Sequence, residues 1–170
     1  MKIELKKLSI YERMSEETTA FAADIFINGI KAGYAKNDGH GGCTEYHAHT
    51  GHRDLIEQAE EYCLTLPPIV YEADKHMKGF TIDMNLENFI DELVTKHLAG
   101  NFEKKLKKNF EKGICYGTMN SYQISSWGKA FPISKMKDHP QGNTTLKKAI
   151  DELKAKGETI LNTNLKEFGV

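Results

Sequence analysis

Phe21-Ala22-Ala23-Asp24-Ile25-Phe26-Ile27-Asn28-Gly29-Ile30-Lys31-Ala32-Gly33-Tyr34 is the stretch on which the fold turns. Asn-Gly accepts the positive φ that both central positions of a type I′ turn require. Asn28-Gly29 between two apolar runs therefore predicts a tight hairpin over residues 18–36. Folding about that turn sets Ile27 against Ile30, Ile25 against Ala32 and Ala23 against Tyr34 on one face, with Asp24, Phe26 and Lys31 on the other. Upstream, Ile3, Leu5, Leu8 and Ile10 alternate with charged residues but change parity at Lys6-Lys7, which suggests a strand containing a bulge. A three-stranded antiparallel meander at the N-terminus follows.

Working outward, residues 37–51 hold Asn-Asp-Gly, Gly-Gly and Thr-Gly with no apolar period, and read as a loop with at most a short extended piece. Leu55, Ile56, Ala59, Tyr62 and Cys63 recur at helical spacing until Pro67-Pro68, giving a helix over 53–65. After an irregular stretch, Asn85 can cap a helix with the inner stripe Leu86, Phe89, Ile90, Leu93, Val94 and His97. Gly100-Asn101 interrupts it, and Phe102, Leu106 and Phe110 resume as a second helix or a kinked continuation. Ile114 and Tyr116, a turn at 118–121, then Tyr122 and Ile124 read as a second hairpin, followed by an irregular connection over 127–143. Asn143 or Thr144 caps a last helix with Leu146, Ala149, Ile150 and Leu153 inward and Gly157 as its stop; residues 159–165 are a short strand or a tail. This order predicts a single α+β domain over 1–170, its antiparallel sheet (the meander plus the later hairpin) packed against three to four helices.

With 170 residues, 39% apolar and 28% charged, the chain can bury a real core. Its apolar runs fall far short of the ~18 residues a membrane span needs, and no signal-type stretch follows Met1-Lys2. The expectation is a cytoplasmic protein with no membrane partner. Three cysteines without paired spacing point to reduced thiols. The net charge of −1 hides an asymmetry: through Asn85 there are 9 Lys and Arg against 14 Asp and Glu, or −5, and beyond it 14 against 10, or +4.

The densest chemical segment is Gly39-His40-Gly41-Gly42-Cys43-Thr44-Glu45-Tyr46-His47-Ala48-His49-Thr50-Gly51-His52, with four of the seven histidines. Imidazole and thiolate are zinc's preferred ligands, so His40, Cys43, His47, His49 and His52 form a candidate metal set, with Glu45 as general base if a water site stayed open. The spacing matches no zinc motif: there is no CxxC and no HExxH. The competing readings are a polar loop whose glycines only let the backbone turn, and an anion cradle of glycine N–H groups and imidazoles. Among nucleophile candidates, Cys63 lies on an apolar helical stripe and Cys115 in a strand, both as packed thiols; only Cys43 has histidines nearby. Ser125-Ser126 and Asp138-His139 lack the framing of a triad.

The helical segment 103–112 carries Lys104, Lys105, Lys107, Lys108 and Lys112, a cationic surface suited to phosphates or simply to solvation. The acidic first half could face a basic protein groove.

Ser15-Glu16-Glu17-Thr18-Thr19-Ala20-Phe21, the run Gly33-Tyr34-Ala35-Lys36-Asn37-Asp38-Gly39-His40-Gly41-Gly42-Cys43-Thr44, Gly113-Ile114-Cys115-Tyr116-Gly117 and Ile160-Leu161-Asn162-Thr163-Asn164-Leu165 resemble small accessory proteins of tailed phages and bacterial mobile elements. The resemblance spans most of the chain and brings no catalytic residue. It implies a setting, since such proteins commonly bind and inhibit a host machine, CRISPR effectors among them. The leading expectation is thus a non-enzymatic inhibitor docking on a host protein or nucleoprotein in the bacterial cytoplasm, without a required cofactor. Its contact residues would be Asp38, His40, Cys43, Glu45 and His47 on the loop and Lys104, Lys105, Lys107, Lys108 and Lys112 on the helix. A zinc-binding domain or hydrolase and an auxiliary nucleic-acid binder are the alternatives.

Overall fold

The computed structural model describes residues 1–73, 77–119, 121–129, 131–136 and 138–168. Backbone packing divides the α+β chain into two compact units, 1–98 and 99–170.

In the first unit, β1 (Ile3–Ile10), β2 (Phe21–Ile27), β3 (Ile30–Asn37) and β4 (Glu45–Ala48) form an antiparallel sheet in the order β1-β2-β3-β4. Asn28 and Gly29 adopt φ of 49° and 88°, the turn the sequence predicts. Lys7 sits at φ 52° where the β1–β2 register shifts, so the N-terminal bulge is also where alternation placed it. α1 (Arg53–Leu64) and the start of α2 (Leu86–Phe110) share the core with the sheet: Phe21, Ile25 and Ile27 pack with Ile56, Ala59, Cys63, Leu86, Ile90 and Val94. Between the helices, β5 (Ile69–Tyr71) and β6 (Phe80–Ile82) form a short hairpin in which Tyr71 stacks on Phe80 at 4.6 Å, within a stretch expected to be irregular.

The sheet differs from the expectation in two places. The β2–β3 register holds beside the turn (Ile27 with Ile30, Phe26 with Lys31) and then slips, so that Ile25 faces Gly33, Asp24 faces Tyr34 and Ala23 faces Ala35. Ala32 is the extra residue of a bulge. A slip of one residue exchanges the faces of everything beyond it. Tyr34, expected inside beside Ala23, is therefore 40% exposed, and Ala35 takes the buried place; Ile30 is open to solvent as well. The second is β4, the short extended piece within residues 37–51, which adds a strand to the three-stranded meander. Residues 45–48 are a fourth strand, paired with β3 through Lys36–Glu45, Ala35–Tyr46, Tyr34–His47 and Gly33–Ala48.

α2 runs unbroken through Gly100-Asn101. The Asn85 side chain caps it, accepting the Asn88 N–H at 2.7 Å. One glycine costs a helix only about 1 kcal/mol, which the flanking helix formers outweigh. His97, expected on the inner stripe, is exposed.

In the second unit, β7 (Ile114–Gly117) pairs with β8 (Tyr122–Ser125); residue 120 of the expected turn lies outside the described residues. Leu106, Phe110 and Cys115 form one small core, and Ile114, Ile133, Leu146, Ile150, Leu165 and Phe168 another, with Trp127 partly buried against it. The connection expected to be irregular includes the single turn α3 (Ile133–Met136). α4 (Gly142–Ala155) starts earlier than predicted: Gln141, not Asn143 or Thr144, is its N-cap, and Gly142 lies so close to the Met136 backbone that a Cβ would overlap it. Its end follows the prediction. Gly157 at φ 79° donates to the Lys154 carbonyl (2.9 Å) and Glu158 to that of Leu153 (3.1 Å), a Schellman stop. Ile160 bridges to Tyr116, and Leu161 donates to the Cys115 carbonyl at 2.9 Å. No helix among the described residues is long and apolar enough to cross a membrane.

Candidate functional site

The glycine-rich segment after β3 is organised by Asn37, a buried polar side chain. Burial of an amide is tolerable only when its donors and acceptors are met. The Thr18 hydroxyl and the Gly39 N–H both donate to Asn37 Oδ1, at 2.8 and 2.9 Å. Asn37 Nδ2 donates to the Gly42 carbonyl at 2.9 Å and to Thr44 Oγ1 at 3.3 Å. The Gly39 carbonyl in turn accepts the successive N–H groups of Glu16, Glu17 and Thr18, at 3.0, 3.1 and 3.3 Å. Gly39 has φ +90°, and a Cβ there would run into the Met14 carbonyl and the Ala20 methyl, so both conformation and space require glycine. At the far end, the Thr44 N–H donates to Glu87 Oε1 (3.1 Å) and its hydroxyl to Asp91 Oδ1 (2.6 Å), one helical turn apart on α2. The segment is thus anchored at both ends.

Beside it lies an open cleft of about 330 Å³ lined by Lys36, Asn37, Asp38, His40, Gly42, Cys43 and Glu45. Four of the predicted contact residues, Asp38, His40, Cys43 and Glu45, meet there; His47 does not. The polar side chains of the cleft are largely committed to ionic partners. Lys36 Nζ is 3.1 Å from Glu45 and 3.9 Å from Asp38. The hydrogen bond between Lys36 and Glu45 raises the lysine pKa and lowers that of the carboxyl. His40 Nδ1 lies 3.2 Å from Glu16. The Glu87 carboxylate pushes the Cys43 thiol up, the opposite of what activates a nucleophilic cysteine. Burial likewise raises the carboxyl of Asp91, against the opposing hydrogen bond from Thr44. Cys63 and Cys115 are buried, and desolvation lifts each to about 11.

The other histidines diverge from the cleft. His47 stands on the outer face of the sheet, its ring 5.2 Å from that of Tyr34 and its Nε2 3.8 Å from Glu45. His49 places its ring 6.1 Å from Tyr34 and has a buried Nε2 without a hydrogen-bond partner among the described residues. His52 is the N-cap residue of α1. Among the described residues, no group of three or more His, Cys, Asp or Glu side chains is placed to hold a metal ion.

The predicted lysine surface lies in the second unit. Lys104, Lys105 and Lys108 are exposed and have no ion-pair partner among the described residues. Lys107 is paired with Glu103 at 2.6 Å, which holds that carboxyl below its usual range. Lys112 falls in the turn after α2 and donates to Asn109 Oδ1 at 2.7 Å. Recounting charge over the two units sharpens the sequence asymmetry. Residues 1–98 carry 10 Lys and Arg against 17 Asp and Glu, or −7; residues 99–170 carry 13 against 7, or +6, all 13 being lysine.

Sequence reasoning missed Asn37, Glu87 and Asp91. Asn37 carries a local signal, an Asx turn onto Gly39, whereas Glu87 and Asp91 reach Thr44 from 43 and 47 residues away. No family model, curated protein or solved structure matches the chain.

Proposed function

We propose that the chain is a non-enzymatic binding protein that docks on a nucleoprotein, with the lysines of residues 99–170 engaging nucleic-acid phosphates. The observation that carries this reading is the coincidence of charge with structure, −7 over one compact unit and +6 over the other. Clustered lysines without internal partners release counterions when they meet phosphates, while the acidic unit repels them and restricts which surface can bind. The resemblance to phage accessory proteins supplies the setting, in which the bound nucleoprotein is a host defence machine such as a CRISPR effector and docking inhibits it.

The test is anisotropy of a fluorescein-labelled single- or double-stranded oligonucleotide over a salt series. Affinity should fall linearly in log–log form, and the triple variant Lys104→Glu, Lys105→Glu, Lys108→Glu should lower the slope by about three. Absence of binding at low salt, or a slope the triple variant leaves unchanged, refutes the phosphate contact. The inhibitory role is checked separately, by adding the protein in excess to target cleavage by CRISPR effector ribonucleoproteins. Unslowed cleavage refutes that part.

A further inference from the structure

The two edges of the four-stranded sheet are built differently. On β1, a bulge at Lys7 breaks the register and Lys2, Lys6 and Lys7 line the strand, devices that discourage another strand from pairing there. β4 has neither a bulge nor a lysine.

The hydrogen-bond phase shows which groups β4 leaves open. The His49 N–H donates to the Ala32 carbonyl at 2.8 Å, so in the antiparallel alternation Glu45 and His47 also bond toward β3. Thr44, Tyr46 and Ala48 then turn their main-chain groups away from it. The Thr44 N–H does point away, since the Glu87 carboxylate takes it. By the same alternation the backbone N–H and C=O groups of Tyr46 and Ala48 are not bonded to β3, and no main-chain bond from outside the ladder reaches them among the described residues. Alongside runs a groove of about 430 Å³ between Tyr46 and Ala48 of β4 and Arg53, Ile56, Glu57 and Glu60 of α1.

We propose that this groove accepts an extended, lysine- or arginine-bearing segment of a partner protein, added to the sheet as a fifth strand beside β4. Charge selects the occupant. Arg53 is already held by Glu57 at 2.9 Å, and Glu60 accepts the Tyr46 hydroxyl at 2.8 Å, so the α1 wall has a surplus carboxylate within a unit of charge −7. A second copy would bring its own Glu57 and Glu60 against the first pair, a like-charge opposition that disfavours self-pairing. Tyr46 and Ala48 would exchange main-chain bonds with the incoming strand, and Ile56 would supply an apolar floor. The groove lies wholly within residues 1–98 and does not depend on the lysines of 99–170.

The experiment uses the full chain and two labelled peptides, acetyl-Lys-Val-Lys-Val-Lys-Val-Lys-amide and its counterpart with Glu for Lys. The basic peptide should bind at least tenfold more tightly. Ala48→Pro deletes an outward N–H without touching the β3–β4 bonds, and should weaken binding about tenfold, the worth of one such hydrogen bond. Should Ala48→Pro fail to fold, the basic peptide N-methylated at alternate amides removes the complementary bonds, those its own N–H groups would donate to the Tyr46 and Ala48 carbonyls, and Glu57→Lys should weaken binding in the intact fold. Equal binding of the two peptides, no binding of either, or indifference to both Ala48→Pro and N-methylation overturns the assignment. So does sedimentation showing a dimer that Ala48→Pro dissociates, which would give the edge to a second copy. No nucleic acid enters this assay, so its failure is distinct from failure of the phosphate contact.

Discussion

In residues 1–98 the cations are mostly tied to acids. Lys2 meets Glu4, Lys7 and Lys31 share Asp24, Lys36 joins Glu45, Arg53 joins Glu57 and Lys96 joins Glu92, while Lys6 lies 4.0 Å over the Phe26 ring. In residues 99–170 the described pairs are Lys107 with Glu103 and Lys148 with Glu152, and most of the described lysines have no acidic partner. Surface ion pairs contribute little stability, so the contrast bears on what each unit presents to others. One presents surplus carboxylate beside an open strand edge, the other surplus ammonium. Their interiors differ too. The first unit has one continuous core and a buried polar hub at Asn37; the second divides its apolar side chains between two small clusters.

The strongest way to break this comparison is to empty each core in turn. Ile25 and Leu146 are fully buried, and truncating either to alanine should cost about 3–4 kcal/mol in urea unfolding. The sole tryptophan, Trp127, packs in the second unit, so its fluorescence reports on that unit while far-ultraviolet circular dichroism weights the whole. Leu146→Ala should move the fluorescence midpoint most, and Ile25→Ala the dichroism midpoint. Coincident shifts in both variants would mean that the two units unfold as one cooperative body.

A smaller effect tests the polar hub. Asn37→Ala strands the Gly39 N–H and the Gly42 carbonyl and should cost about 2 kcal/mol. It should also speed hydrogen exchange across residues 38–44 while leaving 99–170 unchanged. Full protection in the variant would show that the anchors at Thr44 suffice.

The smallest effect is a pH dependence confined to the first unit. Asp91 has a raised pKa in the folded state, so between its ordinary and raised values the native protein keeps a proton the unfolded chain has released. Stability should therefore fall as pH rises through that window. Asp91→Asn can still accept the Thr44 hydroxyl and should flatten that slope; an unchanged slope would assign it elsewhere.

Much of the fold was legible because its signals are local. Asn28-Gly29, the parity change at Lys6-Lys7, the Asn85 cap and the Gly157 stop each act within a few residues. β4 was not, because Glu45-Tyr46-His47-Ala48 has too little apolar alternation to announce a strand and owes its shape to β3 beside it. The Ala32 bulge was hidden because alanine suits either face of a sheet. The candidate site was legible by composition only. The sequence shows a crowd of histidines, while the geometry sends His47 to the sheet face and His52 to a helix cap, and fastens the loop through carboxylates more than forty residues away.

The Ala32 bulge also bears on how this chain can change length. Loops usually absorb insertions and deletions without harm. Here a strand can do the same: removing Ala32 would close the bulge and still leave Gly33 opposite Ile25, Tyr34 opposite Asp24 and Ala35 opposite Ala23, so no side chain beyond it would change faces. For this protein, the bulge is one residue of slack beside a surface turn, and a one-residue deletion between Gly29 and Gly33 should be inherited with the pairing of Gly33 through Asn37 intact.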